Sequence, residues 1–425
     1  MVACRPRCHH VPRYLAHSAT GAASQKLSLL GVNVACVGNV TPIRCTNAKP
    51  KAIEFFAGIG LARMGLEKAG FQVTWANDYE PDKKAMYAAQ FGSEGHSFVL
   101  GDIADVEASQ LPADAALAWA SSPCTDLSLA GGRAGLGGAE SGVFWHFIEL
   151  LRRLEAGRPP VVVLENVTGL ATSHGGDDLA AAISAFNELG YSADVLTLDA
   201  RRFLPQSRPR LFVIGALDPP VDSREPHCDL RPDYLQWVFA DPSLRTHRAH
   251  LPSPPPPRVK GLSALVEDMS DCDERWWDVD RTAAFVGSLS PMQRERVAQL
   301  EQGKGVKYRT AYRRTRAGVP VWEVRPDDIS GCLRTARGGS SKQAVVRLGD
   351  GRLRVRWMTP LEYARLMGAG NYNLEGTRTN QALFGFGDAV AVPVVRWLGV
   401  NYLIPLLRGD LSEPLIELET AAYVK

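Results

Sequence analysis

A cysteine that follows an apolar segment is a candidate nucleophile. Cys124 lies in the run Ser121-Ser122-Pro123-Cys124-Thr125-Asp126-Leu127-Ser128, directly after the apolar residues 115–120. A cysteine in such a loop can act as a nucleophile when backbone N–H groups or cations stabilise its thiolate, although an isolated cysteine is more often a small buried hydrophobe. The glycine-rich residues 131–138 predict a mobile loop that can close over a substrate.

A glutamate ends a second apolar segment. Residues 161–164 are all apolar and are followed by Glu165-Asn166-Val167. A buried carboxyl group tends to keep its proton, which suits Glu165 to donate a proton or a hydrogen bond. Arg208 and Arg210, in Gln206-Ser207-Arg208-Pro209-Arg210, are candidate ion-pair partners. An arginine can brace a site residue while it also contacts a substrate oxygen.

A glycine turn follows the first apolar segment. Phe56-Ala57-Gly58-Ile59-Gly60 precedes a helix predicted from about 61 to 69. Glycines at a strand-to-helix turn let the backbone approach a ligand, and the helix N-terminus offers N–H groups to a carboxylate. Position 63 is Arg rather than the third glycine of a dinucleotide fingerprint, so the turn favours a nucleoside or nucleotide over a pyrophosphate.

Two acids follow the next apolar segments. Asn77-Asp78-Tyr79 lies about twenty residues after the turn, where a carboxylate can bind ribose hydroxyls and Tyr79 can stack on a purine. In Gly101-Asp102-Ile103, the carboxylate of Asp102 can accept from an exocyclic amine. Each acid alone could equally be a helix cap or a turn residue. The three segment ends in this order favour an adenosine site.

The elements that would position these residues alternate between strands and helices. Amphipathic helical stretches at 144–154 and 178–189 separate apolar segments, which is typical of an α/β fold with a doubly wound, mostly parallel sheet. The predicted strands are Ile53–Phe56, Gln72–Ala76, Ala115–Ala120, Val161–Leu164, Ala193–Leu198 and Leu211–Ile214.

The alternation stops after Gly215. Pro219-Pro220 and the run Pro254–Pro257 punctuate a segment with few strand patterns, so we predict a domain boundary near 216. From Lys304 to Arg356 there are fourteen Lys or Arg against four Asp or Glu, which is either a solvated basic face or a surface for a polyanion. Helical patterns return at 360–367 and 392–400.

The composition restricts the function classes. The 425 residues carry a net charge of +2, too small to identify a nucleic-acid binder by itself. We expect no membrane span, because the apolar runs are broken by Gly, Pro or charge within a strand's length. The eight cysteines form no paired CxxC, so we predict a reducing compartment and no metal site.

Residues 1–50 are interpreted as an extension that precedes the first predicted strand. Residues 1–53 contain seven Lys or Arg and no acid, a composition shared by transit peptides, disordered tails and chains whose start codon is placed too early. We favour one of the last two interpretations. Cys4, Cys8, His9 and His10 match no metal-site spacing that we can defend.

Taken together, these segments resemble the cytosine-C5 DNA methyltransferases. The resemblance covers nearly all of 52–400, and Pro123-Cys124 with Glu165-Asn166-Val167 is its most specific part. The matching segments are Phe56-Ala57-Gly58-x-Gly60, Asn77-Asp78, Gly101-Asp102-Ile103, Pro123-Cys124-x-x-x-Ser128, Glu165-Asn166-Val167, Gln206-x-Arg208-x-Arg210, Leu333-Arg334-Thr335 through Gly338-Gly339-Ser340-Ser341, Met358-Thr359-Pro360-Leu361-Glu362 and Phe386-Gly387-Asp388-Ala389-Val390.

The resemblance implies methyl transfer from S-adenosylmethionine to carbon 5 of cytosine in double-stranded DNA, with the base flipped out of the duplex. It makes Cys124 the nucleophile that adds to carbon 6. It places Glu165 on ring nitrogen 3 and the 4-amino group, and Arg210 on the 2-oxo oxygen. Arg208 completes the implied catalytic set.

The resemblance also implies a cofactor site without a metal. It places Asp78 on the ribose and Asp102 on the adenine amine. The full implied set is Phe56, Gly58, Ile59, Gly60, Asp78, Tyr79, Asp102, Ile103, Pro123, Ala389 and Val390. Two positions depart from the family pattern, since Asp388 replaces the usual Asn and Glu54 replaces the commoner Asp.

The resemblance further divides the chain. It implies a catalytic cofactor-binding domain at 51–216, a smaller target recognition domain at 217–357 and a C-terminal segment at 358–425 that returns to the catalytic domain. Candidate contacts to bases or phosphates are Arg309, Arg313, Arg314 and Arg316. Trp276-Trp277 is interpreted as core packing rather than base stacking.

Three alternatives remain beside this interpretation. One branch of the same family methylates cytosine in transfer RNA, but its recognition region is more compact than this one. A catalytically inactive DNA-binding relative would have no need to retain Cys124, Glu165 and Arg210 together. A dehydrogenase would lack both the third glycine and a role for Pro123-Cys124. We expect a bacterial, cytoplasmic, nucleoid-associated monomer, with a restriction endonuclease as a possible partner.

Overall fold

The computed structural model describes residues 48–123, 138, 142–224, 229–316, 318–334 and 342–411. The predicted nucleophile Cys124 lies outside these residues, as do nearly all of the predicted extension at 1–50 and most of the glycine-rich segment 131–138. The side chain of Arg316 is outside them as well.

The larger sheet forms the first half of the described chain. It has seven strands there, in the order β3-β2-β1-β4-β5-β7-β6. The bounds are β1 (Lys51–Phe55), β2 (Gln72–Asp78), β3 (Ser97–Leu100), β4 (Ala115–Ser121), β5 (Val161–Asn166), β6 (Ser192–Asp199) and β7 (Pro209–Ala216). Strands β1 to β5 run parallel, whereas β7 is antiparallel to both β5 and β6. The predicted α/β fold with a mostly parallel, doubly wound sheet is confirmed.

Six of these strands lie where the apolar pattern predicted them. The pattern did not predict β3, which is an edge strand of four residues with no buried member. An edge strand that is only partly buried needs no apolar run, so the sequence carries little signal for it. The predicted polar end Gly101-Asp102 nevertheless follows it directly.

Side chains alternate between two apolar cores, one on each face of the sheet. In β5, Val161 and Val163 join one core, whereas Val162 and Leu164 join the other. A strand that buries both faces must be apolar at consecutive positions, which explains the unbroken run before Glu165. The helices that connect the strands are α1 (Leu61–Ala69), α2 (Pro81–Phe91), α3 (Val143–Arg153) and α4 (Asp177–Glu188).

A second, antiparallel sheet lies in the region for which the sequence pattern predicted few strands. Among the described residues it has four strands in the order β11-β10-β8-β9. They are β8 (Lys307–Arg316), β9 (Val319–Val324), β10 (Ala344–Gly349) and β11 (Arg352–Trp357). The helices α5 (Gln236–Ala240), α6 (Val279–Gly287) and α7 (Pro291–Gln302) precede it. Its small core includes Phe285, Val297 and Val346, so this region has an apolar centre of its own.

The C-terminal segment packs against the first helix of the larger sheet. It comprises α8 (Pro360–Leu366), α9 (Thr379–Asp388), α10 (Val392–Leu398), a π-helical turn (Gly399–Leu403) and α11 (Ile404–Arg408). A Cβ on Gly65 of α1 would lie 2.5 Å from the Val395 Cβ, so the two helices approach more closely than a side chain at 65 would allow. In addition, the Tyr402 hydroxyl donates to the Asp194 carboxylate in β6 at 2.9 Å.

One helical stretch of the described chain, Thr379–Arg408, is long and apolar enough to cross a membrane by length and composition. The mean hydropathy of its most apolar window is 1.6. The sequence pattern predicted a helix at 392–400 within this stretch, but no membrane span. Of its most apolar window, 56% is buried inside the protein. Packing of α10 against α1 contributes to that burial.

Candidate active site

The reversed direction of β7 places Arg210 beside Glu165. In the register of β5 and β7, Glu165 is opposite Phe212 and Asn166 is opposite Leu211, so the end of β5 meets the beginning of β7. The Arg210 Nε lies 3.0 Å from the Glu165 Oε1. Both side chains are largely buried, with 13% and 6% of their surfaces exposed. Sequence reasoning named this pair as one option, and the structure brings it together.

The strand that leads into Cys124 runs next to Glu165. Ser121, the last residue of β4, is the register partner of Glu165. The Asn166 side-chain amide donates to the Ser122 carbonyl at 3.3 Å, and this contact ties the two strand ends together. Pro123, the last described residue before Cys124, is half-buried. The strand end that precedes Cys124 in the sequence is therefore held beside Glu165.

Arg208 has different surroundings from Arg210. It is fully buried, and its guanidinium donates to the Leu333 carbonyl at 2.7 Å and to the Gly387 carbonyl at 2.9 Å. It also donates to the Ala389 carbonyl. Arg208 therefore joins the start of β7 to two segments that are distant in the sequence.

Cys332 belongs to this cluster, although no local pattern in the sequence pointed to it. Its sulfur lies 3.2 Å from an Arg208 guanidinium nitrogen. Burial would raise the pKa of the Cys332 thiol, but the Arg208, Arg210 and Arg334 guanidinium groups outweigh burial and hold the pKa below its usual value. A thiol with a lowered pKa, that of Cys332, therefore lies close to Arg210 of the Glu165–Arg210 pair.

The glycine turn lies at the same edge of the sheet. Phe56, Gly58 and Gly60 all have positive φ, at 54°, 57° and 79°. A Cβ on Gly60 would lie 2.4 Å from the Phe91 ring, so Gly60 is required for packing. A Cβ on Gly58 would meet only the Lys83 Cδ, at 4.0 Å. Gly58 is therefore the position of this turn that is open to a ligand.

Asp78 lies against that turn. One carboxylate oxygen accepts from the Gly58 N–H at 2.8 Å, and the other accepts from the Glu80 N–H at 2.9 Å. Tyr79 follows it with 54% of its surface exposed. The exposed Asp102 accepts from the Ala104 N–H at 2.9 Å and caps a short helical turn, which is the capping alternative that the sequence left open.

The remaining predicted cofactor residues lie near the same strand ends or in the C-terminal segment. Ile59 and Ile103 are buried, and the Ile59 carbonyl is 2.8 Å from the Tyr372 hydroxyl. Val390 is buried and Ala389 is half-buried after the end of α9. A role in cofactor binding stays a prediction for each of these residues.

Glu54 carries a polar atom that the described protein does not satisfy. Burial raises the pKa of Glu54 to about 8, although the nearby Arg63 opposes this rise. Its Oε1 accepts from the Arg63 N–H at 3.3 Å, whereas its Oε2 is buried with no hydrogen-bond partner. The open face at Gly58, the carboxylate of Asp78 and the half-exposed Tyr79 ring fit a nucleoside with a polar tail. The described residues contain no group of three or more His, Cys, Asp or Glu that could hold a metal ion.

The basic region of the second sheet lies mainly on β8. Arg313 approaches the Trp322 ring at 6.0 Å, and the Arg314 Nε lies 3.1 Å from the Glu323 Oε2. Arg309 donates to the adjacent Tyr308 carbonyl at 2.7 Å. Trp276 is buried, and Trp277 packs against Phe285, Trp322 and Trp357, as the core-packing interpretation expected.

The comparisons with known proteins agree with this arrangement. The model of the family described as C-5 cytosine-specific DNA methylase matches residues 50–402. Type II methyltransferase M.HaeII of Haemophilus aegyptius is 35% identical over 170 residues, which cover 40% of this chain and 51% of that protein. Type II methyltransferase M1.ScrFI of Lactococcus lactis subsp. cremoris is 26% identical over 359 residues, which cover 84% of this chain and 78% of that protein. The match to M.HaeII, like that to M.Bsp6I of Bacillus, spans about half the length of the relative.

Solved structures share the fold. The S. pombe Dnmt2 methyltransferase superposes with a TM-score of 0.56 at 18% identity, covering 86% of this chain and 100% of that one. Entamoeba histolytica methyltransferase EhMeth gives a TM-score of 0.53 at 15% identity, with 86% and 99% covered. At these identities the likeness concerns the fold alone.

Proposed function

The chain belongs to the C-5 cytosine-specific DNA methylase family, and on that premise we propose that it transfers a methyl group from S-adenosylmethionine to carbon 5 of cytosine in double-stranded DNA. The observation that carries the proposal is the buried Glu165–Arg210 pair, 3.0 Å apart, beside the strand end that leads into Cys124. A carboxyl group and a guanidinium lie together there, and with a thiol supplied by Cys124 they are the groups that activation of cytosine requires.

In the proposed reaction, Cys124 supplies the nucleophile. Its thiolate adds to carbon 6 of cytosine, and the new C–S bond makes carbon 5 nucleophilic. S-adenosylmethionine, held by Asp78 and the glycine turn, would supply the methyl group for carbon 5 from its sulfonium, with S-adenosylhomocysteine as the leaving group. A base then removes the carbon-5 proton, and the electrons of that bond expel the Cys124 thiolate. Bonds and charges balance without an oxidant or a reductant.

Glu165 and Arg210 recognise and activate the ring. Glu165 donates to ring nitrogen 3 with one oxygen and accepts from the 4-amino group with the other, while Arg210 binds the 2-oxo oxygen. Because the two side chains contact each other, they can serve adjacent positions on one edge of a single ring. Arg208 acts as a positioning residue, because its guanidinium binds the carbonyls of Leu333, Gly387 and Ala389.

The reaction requires the cytosine to leave the duplex. The thiol and the methyl donor approach opposite faces of the ring, and neither face is accessible while the base is stacked. Extruding the base costs a few kcal/mol, which contacts to the pocket and to phosphates can offset. Basic side chains of the second region, such as Arg313 and Arg314, are suited to phosphate contacts.

We further propose the biological setting that the relatives suggest. Because bacterial Type II methyltransferases are among the relatives, we propose bacterial DNA modification in the cytoplasm, at the nucleoid, with or without a cognate restriction endonuclease. We propose a monomer that uses residues 51–216 for chemistry, residues 217–357 for target recognition and residues 358–425 to complete the catalytic domain.

The activity is tested by transfer of labelled methyl groups to duplex DNA and to transfer RNA in parallel. We expect incorporation into DNA by the wild type, and a loss of at least roughly a thousandfold in Cys124→Ala, because the nucleophile is removed. The matched control is Cys272→Ala, which removes an exposed thiol of the second region and should retain full activity. Labelling of transfer RNA alone would overturn the substrate, and no labelling of either polymer would favour an inactive DNA-binding relative.

The covalent step is tested with DNA that carries 5-fluorocytosine. Fluorine at carbon 5 prevents the final elimination, so the protein should remain bound to the DNA through a sulfur. Peptide mapping should locate this bond at Cys124. The acidic thiol of Cys332 is the informative rival, because a bond at Cys332 would refute the assignment of the nucleophile while leaving the chemistry in place.

A further inference from the structure

An ion pair at the glycine turn has no role in the mechanism above. The Lys83 Nζ lies 3.0 Å from the Asp388 Oδ2. Lys83 lies in the first helical turn of α2, and Asp388 is the last residue of α9. The pair therefore joins these two helices near the glycine turn. Its side chains expose 19% and 33% of their surfaces, so the pair is partly buried yet reachable from solvent.

The pair borders the open face of the turn. The Lys83 Cδ is the atom that a Cβ on Gly58 would approach, at 4.0 Å. Burial would lower the pKa of Lys83, but the carboxylates of Asp388 and Asp78 outweigh burial and raise the pKa above its usual value. Lys83 is therefore a charged ammonium beside the position where a ligand can approach the backbone.

We propose that Lys83 and Asp388 bind the amino-acid end of S-adenosylmethionine, with Lys83 on its carboxylate and Asp388 on its ammonium group. This inference rests on the proposed function. An α-amino acid carries one negative and one positive group a few ångströms apart, and a neighbouring Lys–Asp pair offers the complementary charges. Asp78 lies next along the turn, where it can hold the ribose of the same molecule. The Asp in place of the family's usual Asn thus gains a partner in Lys83 and a ligand group to bind.

The pair differs from an ordinary surface ion pair in its position. Arg378 and Asp82 also join α9 to α2, but their side chains are 72% and 51% exposed. That neighbouring pair already connects the two helices, and it lies in a more exposed position. The location of Lys83 and Asp388 at Gly58 is what assigns them to the ligand.

The experiment measures binding of three ligands to the full chain by isothermal titration calorimetry. S-adenosylhomocysteine retains the amino-acid end, its decarboxylated analogue retains only the ammonium, and 5′-methylthioadenosine lacks both groups. The main variant combines Lys83→Met with Asp388→Asn, because removing both charges leaves neither one uncompensated. Affinity for S-adenosylhomocysteine should fall roughly 10- to 100-fold, whereas that for 5′-methylthioadenosine should change less than about twofold.

Single variants of Lys83 test whether this residue binds the carboxylate of the ligand. Lys83→Met should weaken S-adenosylhomocysteine more than its decarboxylated analogue, and Lys83→Arg should restore part of the loss. The matched control is Lys84→Met, which removes a lysine of the same helix whose Nζ lies over the Phe98 ring at 5.8 Å and should affect none of the ligands. The thermal midpoint of each variant without ligand reports whether the fold is retained.

The outcomes are distinguishable. Equal losses for S-adenosylhomocysteine and 5′-methylthioadenosine would mean that the pair only supports the turn, and an unchanged affinity for both would mean that it does not contact the ligand. Either result overturns the inference while the proposed methyl transfer stands. If the wild type binds neither compound, the proposed function itself fails.

Discussion

The two sheets of this protein each carry an ion pair, and the two pairs have nearly equal lengths but different burial. Arg210 and Glu165, at the edge of the larger sheet, are 3.0 Å apart with side chains 13% and 6% exposed. Arg314 and Glu323, on strands β8 and β9 of the smaller sheet, are 3.1 Å apart with side chains 48% and 13% exposed. Distance alone does not distinguish these pairs. Burial does, because water weakens the interaction of exposed charges.

The difference suggests a division of work. The buried side chains of Glu165 and Arg210 are held in one geometry, as general acid–base chemistry requires. Exposed arginines on β8 can turn toward a polyanion, and their ion pairs contribute little to the stability of the fold. A change at the first pair should therefore alter the reaction, and a change at the second should alter binding of DNA and its dependence on salt.

The largest effect is expected for Glu165→Gln. The amide keeps the size of the side chain but cannot pass a proton to ring nitrogen 3, so the methyl-transfer rate should fall by about 10²- to 10⁴-fold. Affinity for duplex DNA, measured by fluorescence anisotropy, should stay within about threefold, because phosphate contacts dominate it. The matched control is Glu188→Gln, which alters a glutamate whose side chain is 67% exposed and which pairs with Arg152. Parallel losses of rate and DNA affinity would contradict the separation of roles.

The next effect concerns stability and the charge state of Glu54, at the same edge. The folded protein raises the pKa of Glu54 from 4.5 to about 8 by burial, so the folded state holds a proton that the unfolded state releases over this range. The stability that this proton contributes is fully present below the unfolded-state pKa of 4.5 and is lost as pH rises through the folded-state pKa of about 8. The side chain of the Glu54→Gln variant does not titrate. The free energy of unfolding of this variant, relative to that of the wild type, should therefore rise by at least about 1 kcal/mol between about pH 5 and pH 8.

Urea unfolding of the ligand-free protein at several pH values measures this gain. Curves for wild type and Glu54→Gln that run parallel across the range would show that Glu54 ionises normally in the fold. Added S-adenosylhomocysteine gives a second measurement, because a bound ligand that satisfies the buried Oε2 would change the pH dependence of the wild type more than that of the variant.

Sequence reasoning succeeded where function follows a strand end. Apolar segments that stop abruptly in Asp78 or Glu165 predicted both the strands and the polar groups after them, because parallel strands bring their carboxyl ends to one edge. The larger sheet and its mostly parallel order could be predicted for the same reason. The assignment of Cys124 rests on this logic and on the family resemblance, and it stays a prediction.

The remaining features depend on contacts between distant residues. Arg208 and Arg210 are two positions apart, yet one binds the carbonyls of Leu333 and Gly387 while the other binds Glu165. No local pattern separates them. Cys332 and the Lys83–Asp388 pair were overlooked because each partner comes from another part of the chain. The smaller sheet was overlooked because arginines interrupt the apolar alternation of its strands.

The smallest effect is expected for Arg314→Ala on β8. The exposed pair with Glu323 contributes at most about 1 kcal/mol to stability, so the unfolding midpoint should barely change. If Arg314 neutralises one phosphate, the slope of log affinity for duplex DNA against log salt should decrease in magnitude by about 0.9, with a uniform loss across DNA sequences. Arg152→Ala is the matched control, since its side chain is 49% exposed and also pairs with glutamates, but it lies on α3 of the larger sheet. An equal change of slope in both variants would show that the protein's overall charge, rather than this strand, attracts the DNA. A change in Arg314→Ala alone would locate a phosphate contact on the smaller sheet, where the 48% exposed side chain of Arg314 is accessible to DNA.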